Sequence, residues 1–155
     1  FTVVRNPYTR VLSAFLDKIA SAEAGHYAYV AHLAGKPDVT AVTFSDFVTF
    51  LERGGLYANA HWVPQFVLLP LAVPECAFVA RVERLDADLK TLVQRLRIDS
   101  VYSGTVVRED RRRHSDRSVG EYYTSEIADR VAALYVEDFA EFGYRTEPPS
   151  VDHRA

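Results

Sequence analysis

The apolar positions at the start of the chain predict a short strand that leads into an amphipathic helix. Residues 1–4 are apolar or β-branched, as in a short buried strand. Asn6 suits the N-cap of a helix, and Pro7 suits its first turn, where the missing N–H costs nothing. Apolar residues then recur at helical spacing and form one face: Val11, Leu12, Phe15, Leu16 and Ile19. The sequence therefore predicts a strand, a one-residue hinge and a helix.

Three further elements follow from patterns of the same kinds. Thr43 or Ser45 can cap a second helix, which the glycine pair 54–55 ends. Residues 78–82 have the composition of a second strand. A helix that begins at Leu85 carries acidic residues in its first turn, where they favour the helix dipole.

The clearest helix lies near the end of the chain. Thr124 or Ser125 can cap it, and Gly143 ends it. Its apolar residues recur at helical intervals and are interpreted as core: Ile127, Val131, Leu134, Tyr135, Phe139 and Phe142. We expect one domain over residues 1–145 and a tail over residues 146–155.

Two segments lack apolar periodicity. Residues 20–43 are interpreted as a helix tail or lid-like excursion, or else as a surface loop with packed aromatic residues. Residues 98–121 form a long loop that carries five arginines within ten positions. A charge run of this kind is often only a solvated face, whereas loops of this length in compact domains are commonly functional or disordered.

Composition bounds the class of protein. The 155 residues are 48% hydrophobic, which suits one domain with a real core. The chain has 18 Lys and Arg against 21 Asp and Glu, a formal net charge of −3, so nothing points to nucleic acid and any anion site must be local. The single cysteine, Cys76, excludes an internal disulfide.

The chain contains no apolar run of membrane-spanning length, so we expect no membrane contact from this segment. Together with the single cysteine, this favours a cytoplasmic location. The chain begins with Phe, contains no Met and opens directly on a strand, so we expect a piece of a longer protein. A Golgi lumen therefore remains an open alternative.

Polar residues at the predicted strand–helix junction suit a phosphate. Arg5 ends the strand, and Arg10 and Ser13 lie in the first two turns of the helix. In open α/β sheets ligands bind at the carboxyl ends of strands, close to helix N-termini with free N–H groups. The alternative is an ordinary strand-to-helix connection with a surface arginine.

The spacing of these residues carries a resemblance to a known family. Arg5-x-Pro7-x-x-Arg10-x-x-Ser13-x-Phe15 resembles the 3′-phosphate-binding motif of sulfotransferases that use 3′-phosphoadenosine 5′-phosphosulfate (PAPS). It is most similar to the carbohydrate sulfotransferases that act on chondroitin, dermatan and related glycans. In that family the residues at the positions of Arg5 and Ser13 hold the 3′-phosphate of the donor.

Later segments resemble the same family in the same order. They are HWxPQ at residues 61–65, RVExLxxDxxxL at 81–92, and YYTxExxxRVxxLYxxDFxxFGY at 122–144. Four ordered blocks at plausible spacing make coincidence a poor explanation. The resemblance covers residues 1–19, 44–97 and 118–145.

The resemblance implies a fold, a donor and an acceptor. The expected fold is α/β, a P-loop-NTPase-like three-layer sulfotransferase fold with a parallel sheet, mostly helical in this segment. Family members carry an upstream strand and a phosphate-binding loop with a Lys, and this segment lacks both. The implied donor is PAPS, with adenosine 3′,5′-bisphosphate as product and no metal. The implied partner is a hydroxyl-bearing acceptor, a glycan in most of the family.

Candidate residues for the chemistry lie in two later places. His61 is a candidate base, because a histidine accepts a proton at neutral pH; alternatively it forms a structural corner with Trp62, and the base lies upstream. The resemblance implies that the basic loop closes over the 3′-phosphate and adenine, which makes Arg113, Ser115 and Ser118 candidate donor ligands. The same charge also suits an acidic acceptor such as a uronate-containing glycan.

Two rival functions are compatible with the sequence. A P-loop-like small-molecule kinase uses a similar phosphate site, but it normally needs Mg²⁺ and acidic ligands for it, and no Asp-rich strand end is visible. A non-catalytic protein of the same fold would bind nucleotide or anionic glycan without turnover.

Overall fold

The computed structural model describes residues 1–21, 27–69, 72–98 and 119–149. Within these ranges the sheet has two parallel strands, β1 (Thr2–Val4) and β2 (Val79–Arg81). The register pairs Thr2 with Val79 and Val4 with Arg81, so the carboxyl ends of both strands lie at the same edge. The described chain is therefore a mainly helical α/β structure with a small parallel sheet.

Most of the remaining described chain is helical. The helices are α1 (Pro7–Ala14), α2 (Ala28–Ala34), α3 (Phe44–Glu52), α4 (Gln65–Leu68), α5 (Leu85–Leu96), α6 (Ser125–Leu134) and α7 (Val136–Phe142). Short 3-10 helices span Val39–Ala41, Gly55–Tyr57, Val73–Glu75 and Val82–Arg84. No helix in the described ranges is long and apolar enough to span a bilayer.

Helix α1 begins as its sequence predicts. The side chain of Asn6 accepts a hydrogen bond from the Tyr8 N–H at 2.9 Å, and Pro7 occupies the first turn. The helix continues through Phe15–Ile19 with the wider hydrogen-bonding pattern of a π-helix. The apolar face of α1 is buried in the core, and polar residues on another face, Arg10 and Ser13, lie near the edge of the sheet where β1 ends.

The core is built around Trp62, mainly from aromatic side chains of α1, its π-helical extension, α3 and α7, and helix α6 adds aliphatic side chains. The largest fully buried side chains are Trp62, Tyr8, Tyr135, Phe47 and Phe50. Trp62 packs edge-on against Phe47 and donates from Nε1 to the Gly55 carbonyl at 2.9 Å. A Cβ on Gly55 would lie 2.3 Å from the Phe50 ring, so this close approach requires glycine. The core therefore fixes the turn that precedes α4.

Two expectations from periodicity differ from the structure. Part of the 20–43 segment is the helix α2, whose Val30 and Ala31 are buried and which packs on α3. The last helix is interrupted at Tyr135, which has φ −118° and ψ 28°, and so forms α6 and α7. Most of the predicted loop over residues 98–121 lies outside the described residues, and residues 119–122 are helical.

Candidate functional site

A cavity of about 290 Å³ opens at the carboxyl end of β1. One wall is formed by α1 and its π-helical extension. Its lining residues Arg10, Ser13, Ala14 and Asp17 recur at steps of three and four positions, so they share one face of the helix. The other walls come from the strand ends, the turn before α4 and the start of α4. The lining residues are Val3, Val4, Arg5, Arg10, Ser13, Ala14, Asp17, His61, Gln65 and Val82.

The cavity brings together four residues that the sequence proposed as functional. Arg5 lines it from the junction after β1, Arg10 and Ser13 line it from α1, and His61 lines it from a turn more than forty positions later in the chain. The shared cavity is a feature that the sequence did not show. Arg113, Ser115 and Ser118 lie outside the described residues.

Arg5 is held by both its main chain and its side chain. Its N–H donates to Gln65 Oε1 at 2.9 Å, and its carbonyl accepts from Gln65 Nε2 at 2.8 Å. Its Nε donates to Thr9 Oγ1 at 3.1 Å, and Thr9 Oγ1 donates to the Asn6 carbonyl at 3.2 Å. The guanidinium is therefore oriented by the first turn of α1.

Arg10 ties α1 to the turn before α4. Its Nη1 donates to the Val63 carbonyl at 2.6 Å, and its Nη2 donates to the Ala60 carbonyl at 2.9 Å. Burial lowers the pKa of Arg10, and the nearby Tyr135 and Asp138 act in the opposite direction. Two of its guanidinium nitrogens are thus committed to protein carbonyls, so it holds one wall of the cavity in place.

Ser13 and His61 differ from Arg10 in their contacts. Within the described part of the chain, the half-buried Ser13 hydroxyl has no hydrogen-bond partner, so it can bond to a ligand in the cavity. His61 has an exposed side chain, and its main-chain N–H donates to Asn59 Oδ1 at 2.9 Å. The position of His61 depends on the turn that Trp62 and Arg10 fix.

Sequence reasoning missed the acid behind this cavity. Asp138 of α7 is fully buried. Its Oδ2 accepts from the Gln65 N–H at 2.8 Å and from Gln65 Nε2 at 3.3 Å, and its Oδ1 accepts from the Phe66 N–H at 2.9 Å. Asp138 stands in the quoted motif at residues 122–144, but its role is not visible there, because its partners lie more than seventy positions away.

The opposite side of the Arg5–Asn6 junction is held by Glu83, directly after β2. Glu83 Oε1 accepts from the Asn6 N–H at 2.7 Å, and its Oε2 accepts from the Tyr144 hydroxyl at 2.9 Å. Burial and the adjacent Glu83 carboxylate raise the pKa of Tyr144, so this hydroxyl remains a donor. Among the described residues, no cluster of side chains suits a metal ion.

Comparisons with known proteins agree with the resemblance seen in the motifs. The sequence model described as "Sulfotransferase family" matches residues 1–145. Proteins named carbohydrate sulfotransferase 14 also match. The Danio rerio protein is 29% identical over 107 residues, which cover 62% of this chain and 29% of that protein.

The mouse and human proteins of the same name are each 28% identical over 106 residues. These alignments cover 63% of this chain and 28% of each relative. The chain thus spans less than a third of the length of these curated relatives. No solved structure matches the chain significantly.

Proposed function

The chain belongs to the sulfotransferase family, and from that premise we propose that the protein transfers a sulfuryl group from PAPS to a hydroxyl of a carbohydrate. The observation that carries the proposal is the cavity at the end of β1, which Arg5, Ser13 and His61 all line. The carbohydrate acceptor is proposed because the similar proteins are named carbohydrate sulfotransferases.

The finer fold assignment is part of the same proposal. We propose that residues 1–145 form the C-terminal part of a P-loop-NTPase-like, three-layer sulfotransferase domain. The extent of the family match and the parallel pairing of β1 with β2 support it. The cytoplasmic location expected from the sequence stays a prediction.

Arg5 and Ser13 are proposed to hold the 3′-phosphate of the donor. Arg5 lies where β1 ends, and Ser13 offers a hydroxyl from the face of α1 that lines the same cavity. A hydrogen bond to a charged group contributes about 1.5–3 kcal/mol. Binding at this remote phosphate would hold the donor in line and distinguish PAPS from nucleotides that lack a 3′-phosphate.

Arg10 adds positive charge to the cavity and keeps the turn that carries His61 against α1. Arg113, Ser115 and Ser118 are proposed to close over the 3′-phosphate and the adenine. They lie outside the described residues, so this part of the proposal rests on the resemblance alone.

His61 is proposed as the general base. Its ring would accept the proton of the acceptor hydroxyl as the acceptor oxygen forms its bond to sulfur. The bond between sulfur and the bridging oxygen of the 5′-phosphate breaks, and adenosine 3′,5′-bisphosphate leaves with that electron pair. The position of His61 in the cavity, on an exposed turn, gives both the sulfuryl donor and a bulky acceptor access to the ring.

The proposal is tested by direct assay of the full-length protein with sulfur-labelled PAPS and uronate-containing glycans. We expect label on the glycan and release of adenosine 3′,5′-bisphosphate in equal amounts, with no loss of rate in a metal chelator. A matched reaction without glycan should release no bisphosphate. Binding of PAPS without transfer to any hydroxyl acceptor would contradict the enzymatic part, and phosphate transfer from Mg²⁺–ATP would point to a kinase.

A further inference from the structure

Three long-range hydrogen bonds hold the main chain at the junction between β1 and α1. The side-chain amide of Gln65 bonds to both the N–H and the carbonyl of Arg5. From the other side, the carboxylate of Glu83 accepts from the next N–H, that of Asn6. The backbone at Arg5 and Asn6 is therefore held both from α4 and from the 3-10 helix that follows β2.

Gln65 is in turn fixed by a buried carboxylate. Asp138 accepts from the main-chain N–H groups of Gln65 and Phe66, which are the first two residues of α4. It also lies 3.3 Å from the Gln65 side-chain nitrogen, and this contact sets which way the amide faces. A buried carboxylate in α7 thus determines how Gln65 presents its oxygen and nitrogen to Arg5.

We propose that Asp138 and Gln65 act as a positioning pair that sets the backbone of Arg5 and so aims its guanidinium into the cavity. The inference rests on the proposed role of Arg5 in binding the donor 3′-phosphate. In this scheme neither side chain binds the donor itself. Asp138 acts on Gln65, and Gln65 acts on the Arg5 main chain.

The geometry predicts what a small change does. In Asp138→Asn one oxygen becomes an NH₂ group, and either orientation sets a donor against a main-chain N–H of α4. Gln65→Met keeps the length of the side chain and the bonds from the α4 main-chain N–H groups to Asp138, but it removes both bonds to Arg5 and the side-chain contact with Asp138. A positioning role requires both variants to change the same property.

The experiment measures two properties of the full-length protein and of the variants Asp138→Asn, Gln65→Met and the double variant. Calorimetry gives the affinity for adenosine 3′,5′-bisphosphate, and hydrogen exchange gives the protection of the Arg5 amide. We expect each single variant to bind about tenfold more weakly and to exchange the Arg5 amide faster. The double variant should lose little more than either single one, because both act on one contact.

Asp88→Asn is the matched control. Asp88 is also a nearly buried helical aspartate that accepts from a strand-end amide, the Arg81 N–H at 2.7 Å, and from Arg84 Nε at 3.1 Å. Neither Arg81 nor Arg84 is among the described residues that line the cavity. This control should lower the thermal midpoint while leaving bisphosphate affinity unchanged.

The outcomes separate the two proposals. Weaker binding and faster Arg5 exchange in both variants, with normal binding in the control, supports the positioning pair. Unchanged affinity in folded variants overturns it and leaves the proposed function intact, and so do additive losses. If the unaltered protein itself does not bind the bisphosphate, the proposed function fails and the positioning role fails with it.

Discussion

At the scale of single residues, the two arginines of the opening motif differ in their contacts. The sequence proposed both as donor ligands, and both line the cavity. Arg10 also donates to the carbonyls of Val63 and Ala60, fifty and more positions away, whereas Arg5 is oriented by its neighbour Thr9. Spacing along the sequence could identify the cationic site. It could not show that Arg10 also holds the turn before α4, which forms the opposite wall of the cavity.

The role of His61 is testable by separating binding from turnover. We expect His61→Ala to bind adenosine 3′,5′-bisphosphate normally, because the ring lies on the turn and not at the strand end. Its turnover should fall by about 10²–10⁴-fold, the usual contribution of a general base. Single-turnover measurements with labelled PAPS and a glycan give the rate.

His61→Gln is the companion variant, since its amide keeps polar contacts but cannot take a proton at neutral pH. It should be as slow as His61→Ala. A normal rate in either variant would remove His61 from the mechanism and leave it as a structural residue of the turn.

At the scale of helices and strands, the sequence predicted features that depend on near neighbours in the chain, such as helix caps. It did not predict features that depend on contacts between distant segments. Asn6 caps its helix as the sequence predicts, and of the alternative caps Thr43 and Thr124 are the residues used, because a cap bonds to an N–H only two or three residues on. Gly143 ends the last helix in the left-handed region, at φ 61°. The interruption at Tyr135 has no such local signal: its buried hydroxyl donates to the Trp62 carbonyl, a contact set by the fold.

Helix α2 was missed for a related reason. It lacks a capping side chain and buries only two residues, so no amphipathic stripe is visible in its sequence. Short helices of this kind are stabilised mainly by packing, in this case on α3. The Asp138–Gln65–Arg5 contacts belong to the same class, since they join three elements that are far apart in sequence.

An ion pair between α3 and α6 predicts a pH dependence of stability. Arg130 donates from Nε to Glu52 Oε1 at 2.8 Å and from Nη2 to Oε2 at 2.6 Å. Hydrogen bonding from Arg130 lowers the pKa of Glu52, against an opposing effect of burial. Because the folded-state pKa is depressed, this stabilisation is present above the unfolded pKa of about 4.3 and is lost as pH falls through the folded value.

We expect Glu52→Gln to lower the free energy of unfolding at pH 7 by about 0.5–1 kcal/mol, since the pair is partly exposed. The difference from the unaltered protein should shrink when denaturation is repeated near pH 3. Glu147→Gln, which breaks the well-exposed pair with Arg145, is the control and should change little. A difference that stays constant from pH 7 to pH 3 would contradict the assignment.

At the scale of the whole molecule, the cationic site is a local feature of a chain with net charge −3. Arginines from two neighbouring elements meet in one cavity, and the core behind it orders the turn that completes the wall. The sequence predicted the family and the order of elements, because motifs and periodicity are local. It could not predict the cavity, because its walls come from segments about fifty residues apart.

The central claim is that Arg5 binds the 3′-phosphate of the donor, and calorimetry of Arg5→Ala with adenosine 3′,5′-bisphosphate tests it most directly. Arg53→Ala makes the same charge change at an exposed site outside the cavity and serves as the control. The account predicts a loss of affinity of about ten- to a hundredfold for Arg5→Ala and none for Arg53→Ala. Equal affinity in Arg5→Ala and the unaltered protein would contradict it.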